Sequence, residues 1–406
     1  MKKIVFLLAA LLMIGGDAVA QKKNVSKAKA KILSEVPDTK AAKEAILPAL
    51  KDSTTKNLAD TWFVAGEVFN TIYTEQQKLA WTQKKGDQAL MGQSIKNAMN
   101  YYTVADSLDR LPNAKGKVKP KFGDKIVERV SSFQRGFTEA GSYYYEQKDY
   151  ANALDMFEHY LKYPSISYLK DKGFEKDTLR TLITYYCGLS ATQAGKTDVA
   201  ASYYEQVKDS IDSEWIYARL CDDYATLKDT DNMVRMYKLG ASKFPAEQFY
   251  TRNLINYYIN KNKMDEAMTW INEAIKTDDK SAVLWNVKGR ILENDSVYDK
   301  AIECYEKALE LDPKFADAMG NIGRIYYNRA VADLERVNAI RNDALYRKEK
   351  VKLREMFEKP RPYFEKAYEI NPNERDYVIA LRGIYYNLQI NDKYEFMDNK
   401  IKEMNK

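Results

Sequence analysis

Arg290 and Arg324 stand 34 residues apart, and so do Asn260, Asn294 and Asn328. Arg252, Asn256, Asn286, Asn321 and Tyr327 fall in the same stretch. These residue types hold ligands and do not break bonds. A guanidinium is always charged and meets a carboxylate through a planar fork of donors. A carboxamide both donates and accepts, which suits the backbone of an extended peptide. Asparagine is also a mediocre helix former, so its return at a fixed interval needs a reason beyond propensity.

Groups suited to catalysis are scarce. His159 is the only histidine, which excludes multi-histidine metal centres and leaves room for one His-based triad at most. The chain has no G-x-S-x-G elbow, no phosphate-binding glycine loop and no H-E-x-x-H. Cys187, Cys221 and Cys304 are odd in number and widely spaced, so neither a disulfide framework nor a metal site is expected. They read as buried free thiols. Carboxylates are plentiful, but on amphipathic helices they form the solvated face. The expectation is a protein that is not an enzyme and needs no cofactor and no metal.

The interval of 34 belongs to a repeated helical unit. Counted from Ala282, the residues Trp285, Gly289, Ala301, Tyr305, Ala308 and Pro313 occupy positions 4, 8, 20, 24, 27 and 32. Small residues stand where two antiparallel helices touch, and large apolar residues stand between them. Proline follows the second helix, where a residue without an N–H can end it. The unit from Gln248 repeats this with Leu254, Tyr258, Ala267, Ile271 and Ala274, and the unit from Glu214 with Leu220, Tyr224, Tyr237 and Pro245. Earlier units start at Thr181 (Gly188, Ala200, Tyr204) and Gln134 (Gly141, Tyr144, Ala153, Phe157). Ala316 begins a unit with Ile322, Gly323 and Tyr326, whose second half returns late as Phe364, Ala367 and Pro372. A last unit from Arg375 has Arg382 where a small residue is expected, as a terminal cap would.

This spacing resembles the tetratricopeptide repeat family over roughly residues 40–404. The resemblance implies an all-α fold, an α–α superhelix whose first helices line an inner groove. It turns positions 2, 5, 9, 12 and 13 of each first helix inward. That would place Arg252, Asn256, Asn260, Asn286, Arg290, Asn294, Arg324, Tyr327 and Asn328 in a peptide-binding groove, with Asn321 beside them at position 6. Arg252 with Asn256 is similar to half of the carboxylate clamp by which some family members hold a C-terminal peptide. Val287 departs from that clamp, where a second asparagine is expected. The doublets Tyr257-Tyr258, Tyr326-Tyr327 and Tyr385-Tyr386 would place one ring in the core and one nearer the groove.

Two units are interrupted at the hairpin turn. Phe69 and Ala98 are 29 residues apart instead of 9, and Tyr326 and Pro360 are 34 apart. Both inserts read as helical, with turns at Lys84-Lys85-Gly86-Asp87 and Asn342-Asp343. Each would lengthen both helices of its hairpin into an arm of roughly 15–18 Å, at about 1.5 Å per residue.

The first residues read as a signal peptide. Lys2 and Lys3 precede an apolar run from Ile4 to Ile14, and Ala18-Val19-Ala20 is a small-residue cleavage site before Gln21. The run is shorter than the ~20 residues a spanning helix needs. Removal of residues 1–20 lowers the formal charge from +6 to +5, since Lys2, Lys3 and Asp17 leave. So mild an excess does not indicate nucleic acid. Lys115, Lys117, Lys119 and Lys121 form one local basic run, read as a solvated linker or as a contact for anionic lipid or polysaccharide. Five Asp–Ser/Thr tripeptides, with hydroxyls at Ser53, Ser107, Thr178, Ser210 and Ser296, are similar to the acceptor motif of a periplasmic O-glycosylation system. Asp177-Thr178 and Asp295-Ser296 could equally cap helices.

The expected layout is a signal peptide at 1–20, a flexible N-terminus at 21–35, repeat-like helices with an extended hairpin at 36–112 and a basic linker at 113–125. The repeat array then runs over 126–406, with its insertion at about 328–358. The expected function is a non-enzymatic periplasmic scaffold or adaptor that holds a peptide or an envelope protein. The alternative is a carbohydrate- or cell-wall-binding accessory of a polysaccharide-processing system. No nucleic-acid partner and no membrane-spanning segment after cleavage are expected.

Overall fold

The computed structural model describes residues 21–405 apart from 83–85 and 114, and every regular element among them is helical. The expected signal peptide, and Lys84-Lys85 of the first arm's turn, lie outside the described residues. The chain forms two compact units, one ending at Asp229 and one beginning at Thr230.

In the first unit the long pair Ala59–Trp81 and Gln88–Asp109 precedes the hairpins Gln134–Glu146 with Tyr150–Leu161 and Arg180–Gln193 with Thr197–Val207. The second unit contains the hairpins Gln248–Asn260 with Met264–Thr277, Ala282–Asn294 with Tyr298–Leu311, and Arg375–Leu388 with Asn391–Met404. Between the last two stands Ala316–Asn338, returned by Asp343–Glu358 and Arg361–Ile370. Within each unit, the second helix of one hairpin packs on the first helix of the next. The repeat register survives in detail, because first helices begin at Gln134, Glu214, Gln248, Ala282, Ala316 and Arg375 as the spacing requires.

One contact closes most hairpins. The glycine at position 8 packs directly against an aromatic ring from position 24. Gly66 meets Tyr102, Gly141 meets Phe157, Gly188 meets Tyr204, Gly289 meets Tyr305 and Gly323 meets Phe364. A Cβ on Gly289 would lie 2.5 Å from the Tyr305 ring, well inside van der Waals contact. The turns share a second device. Lys148, Gly195, Lys228, Asn262, Ser296 and Gln389 all have positive φ, and each stands at position 15 of its unit. The next residue's N–H bonds back to a carbonyl five residues earlier, as Val297 does to Leu292 at 2.8 Å. One left-handed residue therefore ends each of these six first helices and starts its return, whereas the two arm helices Ala59–Trp81 and Ala316–Asn338 end without one. Trp62 and Trp285, at position 4, each donate their indole N–H to a carbonyl six residues upstream, at 2.6 and 2.9 Å.

Both arms are present. Their outgoing helices run 23 residues, against 13 for Ala282–Asn294. The second arm returns in two pieces, because Pro360 cannot donate the backbone bond that would continue Asp343–Glu358 into Arg361–Ile370. Residues 21–32, expected to be flexible, are helical and bury Val25 and Ala28, one turn apart on a shared face. The basic linker is tied down at its end. The N–H groups of Lys121 and Phe122 donate to Asp109 at 2.6 and 2.7 Å, and Phe122 stacks on Phe63 at 4.3 Å. Its four lysines remain exposed. Among the tyrosine doublets, Tyr258 and Tyr385 are buried and Tyr386 is 68% exposed. Tyr326 and Tyr327 are both half-buried, since Tyr327 turns against Gly383 of the last hairpin. Arg382 at the small-residue position turns outward to Asp398 at 3.2 Å, and the neighbouring Gly383 provides the small surface instead.

Candidate functional site

Three successive first helices of the second unit, Ala282–Asn294, Ala316–Asn338 and Arg375–Leu388, enclose a cavity of about 490 Å³. Six of the ten predicted groove residues line it: Asn286, Arg290, Asn321, Arg324, Tyr327 and Asn328. Their side chains are in different states. Asn321 donates to Asn286 at 3.0 Å, and both are buried, so this amide pair joins two helices and forms the cavity wall. Arg324 is held in a fork by Glu293, at 3.0 and 2.8 Å. The same carboxylate accepts the Tyr305 hydroxyl at 2.7 Å. Glu293 raises the pKa of Arg324, and burial followed by Glu293 pushes the Tyr305 hydroxyl up. Arg290, one turn from Asn286 and Asn294, is exposed and makes no ion pair among the described residues. It is the cation open to a ligand.

The cavity also carries negative charge. Asp317, Glu374 and Asp376 line it with Tyr377. The Tyr377 hydroxyl is pushed up to about 12 by burial, then by the nearby Asp317 and Glu374. Opposite signs thus face one another across a space open to solvent. An extended peptide bearing both charges, with its amides against Asn328, would meet complementary groups.

Arg252, Asn256 and Asn260 lie exposed on Gln248–Asn260, and Asn294 lies exposed at the end of its helix; none of the four lines this cavity. Reading the arginine and asparagine rows missed Glu293, Asp317 and Asp376. The signal was available, since Asp317 and Asp376 stand at position 2 and Glu293 at position 12 of their units.

Residues 297–329, a second helix and the first helix after it, match the TPR repeat family. With the recurring 34-residue hairpins, that match identifies the repeat. The chain carries tetratricopeptide repeats. Fifty residues of it are 42% identical to human N-alpha-acetyltransferase 16, NatA auxiliary subunit, and 40% identical to the mouse protein. The match covers 12% of this chain and 6% of the length of those relatives. Among solved structures, MamA AMB-1 is similar over 48% of this chain and 94% of its own, at 19% identity and a TM-score of 0.34. YrrB, described as a TPR protein with an unusual peptide-binding site, is similar over 52% and 95%, at 16% identity and a TM-score of 0.34.

Elsewhere on this repeat protein, Ser53, Ser107, Thr178, Ser210 and Ser296 are all exposed. Ser107 lies in the last turn of Gln88–Asp109, and the others lie in turns or loops. Asp177 accepts the N–H of Leu179 at 3.0 Å, whereas Val297, not Asp295, precedes the helix at Tyr298. Cys187, Cys221 and Cys304 are buried and free. Burial pushes the Cys221 thiol up to about 12, and those of Cys187 and Cys304 upward as well. His159 is buried against Phe137, its Nδ1 2.7 Å from the Asp155 carbonyl oxygen. No group of three His, Cys, Asp or Glu among the described residues is placed to hold a metal, and no described helix is long and apolar enough to cross a membrane.

Proposed function

We propose that this repeat protein is a non-catalytic scaffold of the periplasm that holds an extended segment of an envelope protein between its first helices. The observation that carries this reading is the cavity at Arg290, Arg324 and Asn328, where an open cation faces Asp317 and Asp376. A carboxylate of the bound segment meets Arg290, and a basic residue meets Asp317 or Asp376. Export is read from the leader at residues 1–20, and the five exposed Asp–Ser/Thr hydroxyls are available to a periplasmic glycosylation system. Crosslinking in cells identifies the partner, and calorimetry then compares its affinity for the native protein and for Arg290→Glu. At least a tenfold loss is expected, since a charge-assisted hydrogen bond contributes about 1.5–3 kcal/mol. Equal affinities would move the binding surface elsewhere. Mass spectrometry of the exported protein should find Gln21 at the N-terminus; retention of residues 1–20 would remove the argument for location.

A second reading, binding of carbohydrate, is favoured by one feature of the first unit. A cleft of about 720 Å³ is lined by Trp81, Tyr143, Gln77, Gln88 and Glu139. Trp81 is 79% exposed. An open indole face beside amides and a carboxylate suits a sugar ring. Quenching of tryptophan fluorescence by cell-wall oligosaccharides, absent in Trp81→Ala, is the test.

A further inference from the structure

The second arm carries a cleft that the groove does not use. It measures about 660 Å³ and lies between Asp343–Glu358, the end of Ala316–Asn338 and the last hairpin. Arg347, Lys350 and Arg354 line one side of it, and no acidic residue lines it at all. Two of the four carboxylates of this helix are held by cations of the chain, and the other two, Asp343 and Glu355, are exposed and do not line the cleft. Glu349 is held by Arg336 at 3.0 Å and by Lys352 at 2.7 Å, and Glu358 by Arg361 at 3.0 Å. Lys350 rests over the Tyr346 ring at 5.5 Å. Arg347 and Arg354 are exposed and have no ion pair among the described residues.

Apolar surface stands beside these cations. Val351 is 62% exposed and Tyr386 68% exposed, and both line the cleft over a floor that includes the buried Leu353 and Phe357. Tyr386 is held by the Tyr394 ring at 5.7 Å. The helix Asn391–Met404 begins on the rim with no side-chain cap, and Asp392 in its first turn does not line the cleft.

We propose that this arm cleft is a second docking site, for an acidic segment of a partner protein that alternates carboxylates with apolar residues. The proposal rests on the reading of the chain as a protein-binding scaffold but uses a different surface. Charge complementarity selects the occupant, since three cations without a lining carboxylate call for an anionic partner. Exposed valine and tyrosine call for one with apolar side chains as well. The spacing agrees. Lys350 and Arg354 are separated by about 6 Å along the helix, at about 1.5 Å per residue. Alternate residues of an extended chain, which face the same side, are about 6.6 Å apart. Two successive same-side carboxylates therefore reach Lys350 and Arg354 together, while Val351 and Tyr386 take an apolar side chain.

The probe is a fluorescein-labelled eight-residue peptide of alternating glutamate and leucine, titrated against the full chain by fluorescence anisotropy. The native protein should bind it, and binding should weaken as salt rises from 50 to 500 mM. Arg347→Glu with Arg354→Glu should weaken it at least tenfold with an unchanged circular-dichroism melt, because neither side chain holds the fold together. Arg290→Glu should bind the probe as the native protein does. No binding by the native protein, or equal binding by the arm variant, overturns the proposal. Loss in Arg290→Glu alone would assign the peptide to the groove, which overturns the arm site while leaving the groove reading intact. Equal binding of a plain glutamate octamer, or of an anionic polysaccharide, would remove the apolar half of the recognition and overturn the proposal in this form.

Discussion

Asn321 donates to Asn286 through a buried amide–amide bond that ties one first helix to the next. Two residues read from the sequence as ligand-facing thus spend part of their hydrogen-bonding capacity on the protein itself. Leaving one amide buried without its partner costs about 1–3 kcal/mol. Asn321→Leu should therefore lower the unfolding free energy of the second unit by that amount, measured by urea titration. Asn286→Leu with Asn321→Leu should cost less than the sum of the single changes, because no orphaned amide remains. Strict additivity would show that the bond contributes nothing.

Gly289→Val tests the hairpin register. The new Cβ would lie 2.5 Å from the Tyr305 ring, and overpacking of this kind costs about 1–3 kcal/mol. Replacing Tyr305 by Leu in the same chain should restore part of the loss. A thermal melt of Gly289→Val equal to the native one would mean that the two helices meet elsewhere.

The left-handed residue at position 15 of six hairpins gives an opposite sign. An L-residue in that conformation costs about 1–2 kcal/mol, and the greater freedom of glycine in the unfolded chain takes back about 0.5–1. Lys148, at φ 61° and exposed, should thus gain up to about 1 kcal/mol on replacement by glycine. Gly195→Ala, at φ 71°, should lose a similar amount. Both are read from denaturant midpoints, and a destabilised Lys148→Gly would contradict the turn geometry.

His159 should make stability depend on pH. Burial holds its pKa below the ordinary 6.5, against a smaller opposing pull from Asp155. As pH falls, the unfolded chain takes up this proton before the folded chain does. The stability is therefore complete above about pH 6.5 and is lost as pH falls toward the folded value. Carboxylates add their own acid dependence, so the measurement is a difference. Between pH 7.5 and 5.5 the unfolding free energy from urea titration should fall less in His159→Phe than in the native protein, by up to about 1.4 kcal/mol per pH unit below about pH 6.5. Parallel falls would exclude the histidine.

The repeat was legible because its markers act within one hairpin. Gly289 and Tyr305 are 16 residues apart, and each is the type its position demands. Helix starts at Gln248, Ala282 and Ala316 follow from that spacing alone. What the sequence hid depends on distances between helices. Nothing in the local pattern says that Arg324 reaches back 31 residues to Glu293, or that Asn321 and Asn286 choose each other over a ligand. The broken return of the second arm needed only Pro360, which was visible but stood at a position where a small residue usually packs. Gly383 was overlooked because it lies one residue from the position the pattern prescribes.

The ring-on-glycine contact has a mechanical consequence. Five hairpins carry their own fastener, made from two residues of the same hairpin, and neighbouring hairpins add their shared face and a few ring-on-glycine contacts such as Tyr327 on Gly383. Damage to one fastener is felt by the hairpins on either side and fades beyond them. Such a chain comes apart from its ends or at its weakest joint, leaving tracts that are still folded. Under load or in denaturant, it should yield by whole hairpins.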